Sequence, residues 1–269
     1  MKKLLFISLL FSSIICNGQI IVNGNKIYNA LPVLPPPLDT ARIVVITGQS
    51  NANSHGQNLS AQFTSPIIRT KHWDTTAKLF TNYSSFGLTT TGLNTQTGGL
   101  QVSKYNDSIF CIKIVQGSLA ISNWSDLKGS LKLALDSALI QSIRTLRVQG
   151  KYVKVLSTIW LQGEQDCNEG SSAAAYQAKL DSVITRYRKL DISMSNTQFV
   201  IVKLVEGSGA GGYITPASTL NNAYVNLSVN KTNVSLIRPE DVGAILDDGV
   251  HYTAPSYILI ANAWNTLIK

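Results

Sequence analysis

Three short segments, far apart in the chain, hold side chains that could do chemistry together: Gly48-Gln49-Ser50-Asn51, Trp160-Leu161-Gln162-Gly163-Glu164-Gln165-Asp166, and Asp248-Gly249-Val250-His251. Ser50 follows an apolar run, Ile43-Val44-Val45-Ile46, and so stands where a strand would end. A serine hydroxyl is a poor nucleophile until an imidazole takes its proton, and the imidazole needs a carboxylate to fix its tautomer. Asp248 and His251 are three residues apart, so one loop can present both, with His251 Nε2 toward Ser50 and Asp248 toward Nδ1. Serine, histidine and aspartate in these roles are what acyl transfer requires. Each has a plainer explanation alone: a helix N-cap for Ser50, a cap of the last helix for Asp248, an incidental His251. Their ordered co-occurrence argues for chemistry. Asp247 competes for the carboxylate role, but on an extended loop it would face another way. His55 and His72 are less apt as bases, although His55 is close enough to Ser50 to line a pocket.

These residues need a scaffold. Apolar, β-branched runs recur at 43–46, 109–115, 153–160, 199–205 and 234–237, as in strands buried on both faces. Helical patterns lie between and after them at 130–149, 173–189, 216–229 and 255–268, the last two opening on Pro216 and Pro255. The alternation predicts an α/β fold, a three-layer α/β/α sandwich around a mostly parallel sheet of about five strands. All three chemical segments then fall at carboxyl ends of strands, where such sheets hold their sites.

The 269 residues are 44% hydrophobic, enough for one sizeable core. Met1-Lys2-Lys3 and the apolar run from Leu4 to Ile15 predict a signal peptide over residues 1–18, cut near Gly18-Gln19 and too short to span a bilayer. Export to the periplasm or the medium follows. Lipid anchoring at Cys16 is the weaker alternative, because Ser13-Ile14-Ile15 lacks the small residues expected before such a cysteine. Residues 19–40, with Pro32, Pro35, Pro36 and Pro37, read as an extended N-terminal segment, and 41–269 as the catalytic domain. Loss of Lys2 and Lys3 takes the formal charge from +8 to +6, and the remaining basic residues are dispersed, which argues against a nucleic-acid partner. Cys111 and Cys167 fall at opposite ends of the sheet and read as free, buried thiols. No metal-binding spacing occurs and no cofactor is implied. Ser84 to Gly99, low in charge and rich in Ser, Thr and Gly, reads as a long surface loop beside the site.

Gly48-Gln49-Ser50-Asn51, Gly117, Gly163-x-x-Asp166 and Asp248-x-x-His251 together resemble the ordered blocks of the SGNH hydrolase superfamily. The segment from Gly117 to Trp124 and the Trp160-x-Gln162-Gly163-Glu164 pattern resemble its branch containing carbohydrate esterase family six and the sialate O-acetylesterase domain. That resemblance covers residues 43 to 260. It implies a flavodoxin-like sheet and a secreted serine esterase removing O-acetyl groups from carbohydrate, of acetylxylan or sialate type, without a cofactor. The partner would be an acetylated oligo- or polysaccharide. It implies an oxyanion hole built from the backbone N–H of Ser50 and of Gly117 plus a side-chain amide. Gln162 matches the branch pattern and is favoured; Gln165 stands at the superfamily's asparagine position by spacing. Gln49, Asn51, His55, Trp124 and Glu164 would line the substrate site, while Glu164 and Asp166 also read as buried hydrogen-bonding groups that hold the loops. The Ser/Thr/Gly-rich loop replaces a helix usual in the branch. Two competing readings are a broader lipase, which would want glycine where Ala52 stands, and a non-catalytic carbohydrate-binding protein on an esterase fold.

Overall fold

The apolar runs become strands of one sheet. A computed structural model of the chain describes residues 20–22, 25–27, 39–54, 70–82, 93, 101, 104–105, 108–209 and 212–268. Residues 1–18, His55 and, apart from Leu93, the 84–99 segment lie outside the described residues. The chain divides into two units, 1–39 and 40–269. In the first, β1 (Ile20–Val22) and β2 (Asn25–Ile27) pair antiparallel, Ile20 opposite Ile27.

The second unit carries β3 (Thr40–Gly48), β4 (Thr70–Asp74), β5 (Leu79–Asn82), β6 (Ile109–Val115), β7 (Tyr152–Leu161), β8 (Gln198–Val202) and β9 (Val234–Ile237). They form one seven-stranded sheet in the order β5-β4-β6-β3-β7-β8-β9, parallel except for β4 with β5. The sheet therefore has two strands more than the sequence predicts. The additional pair is an edge hairpin of mixed polarity, whose turn is closed by Asp74 Oδ1 accepting from the N–H groups of Thr76 and Ala77 at 2.8 and 2.9 Å. Neither Thr70-Lys71-His72-Trp73-Asp74 nor Leu79-Phe80-Thr81-Asn82 is a continuous apolar run, so the buried-strand pattern passes over both. Strand β8 also stops three residues earlier than its apolar run: the Asn221 side chain takes both backbone groups of Leu204, at 2.9 and 3.0 Å, in place of a ladder partner.

Helices α1 (Ser122–Ser125), α2 (Ser130–Val148), α3 (Glu164–Asn168), α4 (Ala173–Tyr187), α5 (Ala217–Asn230), α6 (Pro239–Val242) and α7 (Ala254–Leu267) complete the unit. The four long ones match the predicted patterns within two residues. Apolar residues of α2, α4 and α5 pack with Ile43, Val45, Ile112 and Trp160 on one face of the sheet. Those of α7 pack with Val44, Ile46, Ile159 and Leu161 on the other. This is the three-layer arrangement.

A bulge in β7 decides which way its end faces. Ile43 pairs with Val155 and Val44 with Ser157, leaving Leu156 over. Because strand side chains alternate, one extra residue turns everything after it to the opposite face. Leu156 packs on the α7 side, and Ser157 takes the Trp264 indole N–H there at 2.8 Å, whereas Trp160 lands under α2 and α4. From β3 the chain adds strands to one side through β4 and β6, then to the other through β7, β8 and β9. The carboxyl ends of β6, β3 and β7 thus meet at the point where the winding reverses.

Candidate active site

Ser50 stands two residues past the end of β3, at the start of a turn in which the Asn53 N–H donates to Ser50 O at 3.0 Å. Its hydroxyl lies 2.9 Å from His251 Nε2. His251 Nδ1 lies 2.6 Å from Asp248 Oδ2. The loop that carries the pair is organised by Asp248 itself: its Oδ1 accepts the N–H groups of Val250 and His251 at 2.9 and 2.7 Å, which leaves Oδ2 for the imidazole. An aspartate that caps backbone two and three residues ahead is a standard turn former. The base of the loop closes where Leu246 bridges to Tyr252 and the Asp247 N–H donates to His251 O at 2.7 Å. The His251 contacts, side chain and backbone, hold the Asp248 carboxyl well below the usual carboxylate range. Chemically, the array is a hydroxyl, an imidazole able to take its proton, and a carboxylate that stays ionised to orient the imidazole.

Two glycines permit the close approach of the Ser50 loop and the loop after β7. Gly48 has φ +141°, and a Cβ there would stand 2.0 Å from Leu161 O. Gly163 has φ +144°, and its Cβ would stand 2.2 Å from Tyr224 Oη. Gly117, just past β6, packs against Ser50: a Cβ there would be 3.6 Å from Ser50 Cβ. Among the described residues, the N–H groups of Ser50 and Gly117 donate to no other group, so both remain for an incoming oxygen.

The side-chain amide of the expected oxyanion hole is where the sequence reading is corrected. Gln162 is fully buried, and its Nε2 donates to Leu119 O at 3.1 Å and to Asp166 Oδ2 at 2.5 Å. The Tyr176 hydroxyl donates to Gln162 Oε1 at 2.7 Å, and the Tyr224 hydroxyl to Gln162 O. Both amide N–H groups are committed to the scaffold, so none remains for an oxyanion. Gln165, half-buried on α3, donates to Glu169 Oε1 at 3.1 Å, one turn along its own helix. Gln49 is buried with Oε1 accepting from Gly163 N–H at 3.3 Å and Gln165 N–H at 3.4 Å. Its Nε2, adjacent in sequence to Ser50, bonds to no described residue.

Trp124, expected to face substrate, is instead core. It is fully buried, donates its indole N–H to Thr47 Oγ1 at 3.0 Å, and meets Trp160 edge-on at 5.3 Å between centroids. Asn51 and Glu164, also expected at the substrate, are buried and bonded to each other, Asn51 Nδ2 donating to Glu164 Oε1 at 2.7 Å. Burial pushes the Glu164 carboxyl above its ordinary range, against the opposing effect of the Asn51 bond. Asp166 likewise rises through burial, while accepting from Gln162 and from the Ile121 N–H at 2.9 Å. His72 is on β4, where burial and then Lys113 push it down to about 4, and it is not part of the Ser50 array. Cys111 and Cys167 are free and buried. Among the described residues no group of three His, Cys, Asp or Glu side chains could hold a metal ion. Sequence reasoning missed Tyr176, Tyr224, Tyr252 and Tyr257, whose buried polar groups bond to Gln162 and Asn51. Periodicity marks such tyrosines only as apolar positions.

With this geometry in view, the family described as carbohydrate esterase, sialic acid-specific acetylesterase matches residues 40–266. The chain belongs to that family and is a carboxylic ester hydrolase. Among solved structures, it is similar to a protein from Arabidopsis thaliana, with 16% identity over 87% of this chain and 100% of that one at a TM-score of 0.67. It is similar to NanS, with 13% identity over 86% of this chain and 97% of that one at a TM-score of 0.61. It is also similar to XAC1771, described as a novel carbohydrate acetylesterase from Xanthomonas citri, with 14% identity over 84% of this chain but 55% of that one at a TM-score of 0.55. At these identities the likeness is one of fold. No curated protein matches the chain.

Proposed function

We propose that the chain is an exported carbohydrate O-acetylesterase that works through an acetyl-serine intermediate on Ser50. The observation that carries this reading is the unbroken relay from Ser50 Oγ to His251 Nε2 at 2.9 Å and from His251 Nδ1 to Asp248 Oδ2 at 2.6 Å. Ser50 Oγ attacks the acetyl carbonyl carbon as His251 accepts its proton. The carbonyl oxygen becomes an oxyanion facing the N–H groups of Ser50 and Gly117. Collapse breaks the ester C–O bond, and His251 returns the proton to the departing sugar hydroxyl. A water then attacks the acetyl-serine by the same route and releases acetate. Asp248 remains a carboxylate throughout and stabilises the imidazolium.

An acetylated oligo- or polysaccharide as substrate is supported by the family and by the description of XAC1771. Export is supported by the charged and apolar start of the chain. Among the described residues no helix is long and apolar enough to cross a membrane. The test is acetate release by wild type and Ser50→Ala from acetylated xylan, acetylated pectin and O-acetylated sialic acid. Wild type should release acetate from at least one, and Ser50→Ala from none. Near wild-type turnover by Ser50→Ala would sink the assignment.

A further inference from the structure

Asn51 is the residue next to the nucleophile, yet its side chain serves the base. Its Oδ1 accepts the Tyr252 N–H at 3.1 Å and the Tyr257 hydroxyl at 3.1 Å. Its Nδ2 donates to Val250 O at 2.9 Å and to Glu164 Oε1 at 2.7 Å. The orientation of the amide is unambiguous, because a backbone N–H must meet its oxygen and a backbone carbonyl its nitrogen. Val250 and Tyr252 flank His251, so one side chain grips the chain on both sides of the base, 199 and 201 residues away from it in sequence. All four hydrogen-bonding positions of the amide are filled, and Asn51 is only 2% exposed.

We propose that Glu164, acting through Asn51, is a positioning residue that sets how His251 sits against Ser50. This rests on the acyl-transfer reading given above. Glu164 stands at the start of α3, on the loop after β7, and is 5% exposed. It supplies Asn51 with the acceptor that fixes its amide plane. Its second oxygen, Oε2, is buried without a hydrogen-bond partner. Burial of that oxygen works against the charged form of the acid, and the Asn51 contact works for it. The three loops that build the site therefore converge on one amide. Without Glu164, one Asn51 N–H loses its acceptor in a dry pocket. The side chain can then rotate, and its hold on Val250 and Tyr252 loosens together. A base displaced by a fraction of an ångström still leaves a folded protein and an intact substrate cleft, but proton transfer suffers, since misplacement of about 1 Å can cost about 10²-fold.

The experiment is 4-nitrophenyl acetate hydrolysis by wild type, Ser50→Ala, Glu164→Ala and Glu164→Gln, with thermal unfolding of each and the rate of Ser50 labelling by a serine-directed phosphonate. Glu164→Ala should lower kcat by about 10- to 100-fold with KM within about threefold, and slow phosphonate labelling in step. Glu164→Gln keeps a neutral acceptor for Asn51 and should recover most of that loss. Glu164→Ala with wild-type kcat overturns the proposal, as does Glu164→Gln failing as badly as Glu164→Ala. Should Glu164→Ala not fold, Asn51→Asp carries the test. It is isosteric and keeps an oxygen for Tyr252, but turns an acceptor toward Val250 O. A lowered kcat at unchanged KM supports the clamp, and wild-type kcat overturns it. An inactive wild type, or an active Ser50→Ala, overturns the acyl-transfer reading and this inference with it. An active wild type, an inactive Ser50→Ala and an undiminished Glu164→Ala overturn the inference alone.

Discussion

Replacing Gln162 by alanine separates two accounts of the same residue. By motif it is the amide that meets the oxyanion; by geometry it is a fully buried strut. Its removal strips donors from two acceptors, Leu119 O at 3.1 Å and Asp166 Oδ2 at 2.5 Å. The Tyr176 hydroxyl loses Oε1 but keeps Gln162 O, which the variant retains, at 3.0 Å. Asp166 keeps the Ile121 N–H. Leaving a buried polar group unsatisfied costs about 1–3 kcal/mol, and Leu119 O is the one group so left, since Asp166 Oδ2 still accepts from Ile121. For a domain of this size about 1 kcal/mol moves Tm by about 2–4 °C, so the variant should melt about 2–12 °C lower. Removal of an oxyanion donor would leave Tm alone and lower kcat by about 10²–10³. The assay is calorimetric unfolding together with kcat on 4-nitrophenyl acetate, divided by the phosphonate-titratable Ser50 sites. The expected outcome is a fall in Tm of that size and a kcat per competent site within about tenfold of wild type. A native Tm with a hundredfold lower kcat would refute the strut and return Gln162 to the oxyanion.

Two further outcomes follow from groups away from the relay. Asp191 is lowered to about 2: burial opposes this, but hydrogen bonds from Arg147 and Ser193 prevail. Its contribution to stability is therefore present above the unfolded value of about 4 and lost as pH falls through about 2, so Asp191→Asn should lower Tm at pH 7 and match wild type near the acid end of that window; an equal deficit at both ends would refute the ion-pair account. Cys111 and Cys167 are each pushed up to about 12, burial being the largest cause. Neither should react with iodoacetamide at pH 8 until the protein is unfolded, as read by peptide mass mapping; rapid native labelling of either would contradict its burial.

What the chain discloses before folding depends on the range of the interaction. The relay residues are legible because Asp248 and His251 share one loop, which pairs them by local spacing, and Ser50 ends an apolar run, which places it at the carboxyl end of a strand where such sheets hold their sites. The parallel strands are legible because burial on both faces leaves continuous apolar runs. The β4–β5 hairpin is not, since Thr70-Lys71-His72-Trp73-Asp74 and Leu79-Phe80-Thr81-Asn82 mix polar with apolar residues. The bulge at Leu156 is also illegible: nothing in Val155-Leu156-Ser157 states that one residue will be left out of the ladder. Yet that slip puts Trp160 on the α2 and α4 side. The hydrogen bonding of Gln162 is hidden for the same reason. Which way a buried amide turns is decided by Tyr176, Asp166 and Leu119, and only Asp166 is within one turn of it.

The third block is most informatively read through its hydrogen bonds. Trp160 meets Trp124 edge-on in the core, and Gln162 braces Leu119 and Asp166. Gly163 clears Tyr224, Glu164 braces Asn51, and Asp166 holds Ile121. None of these side chains lies in the Ser50–His251–Asp248 relay, although the segment is one of the blocks that carry the family resemblance. Two physical demands account for this. A loop between two others must satisfy every buried polar group it brings, and a relay whose exposed end is a 54% accessible aspartate needs rigidity from beneath. The pattern Trp-x-Gln-Gly-Glu in this chain is accordingly the fastening of the site. What it fastens is Ser50 and the four-residue loop that begins at Asp248, to which the proposed acyl transfer belongs.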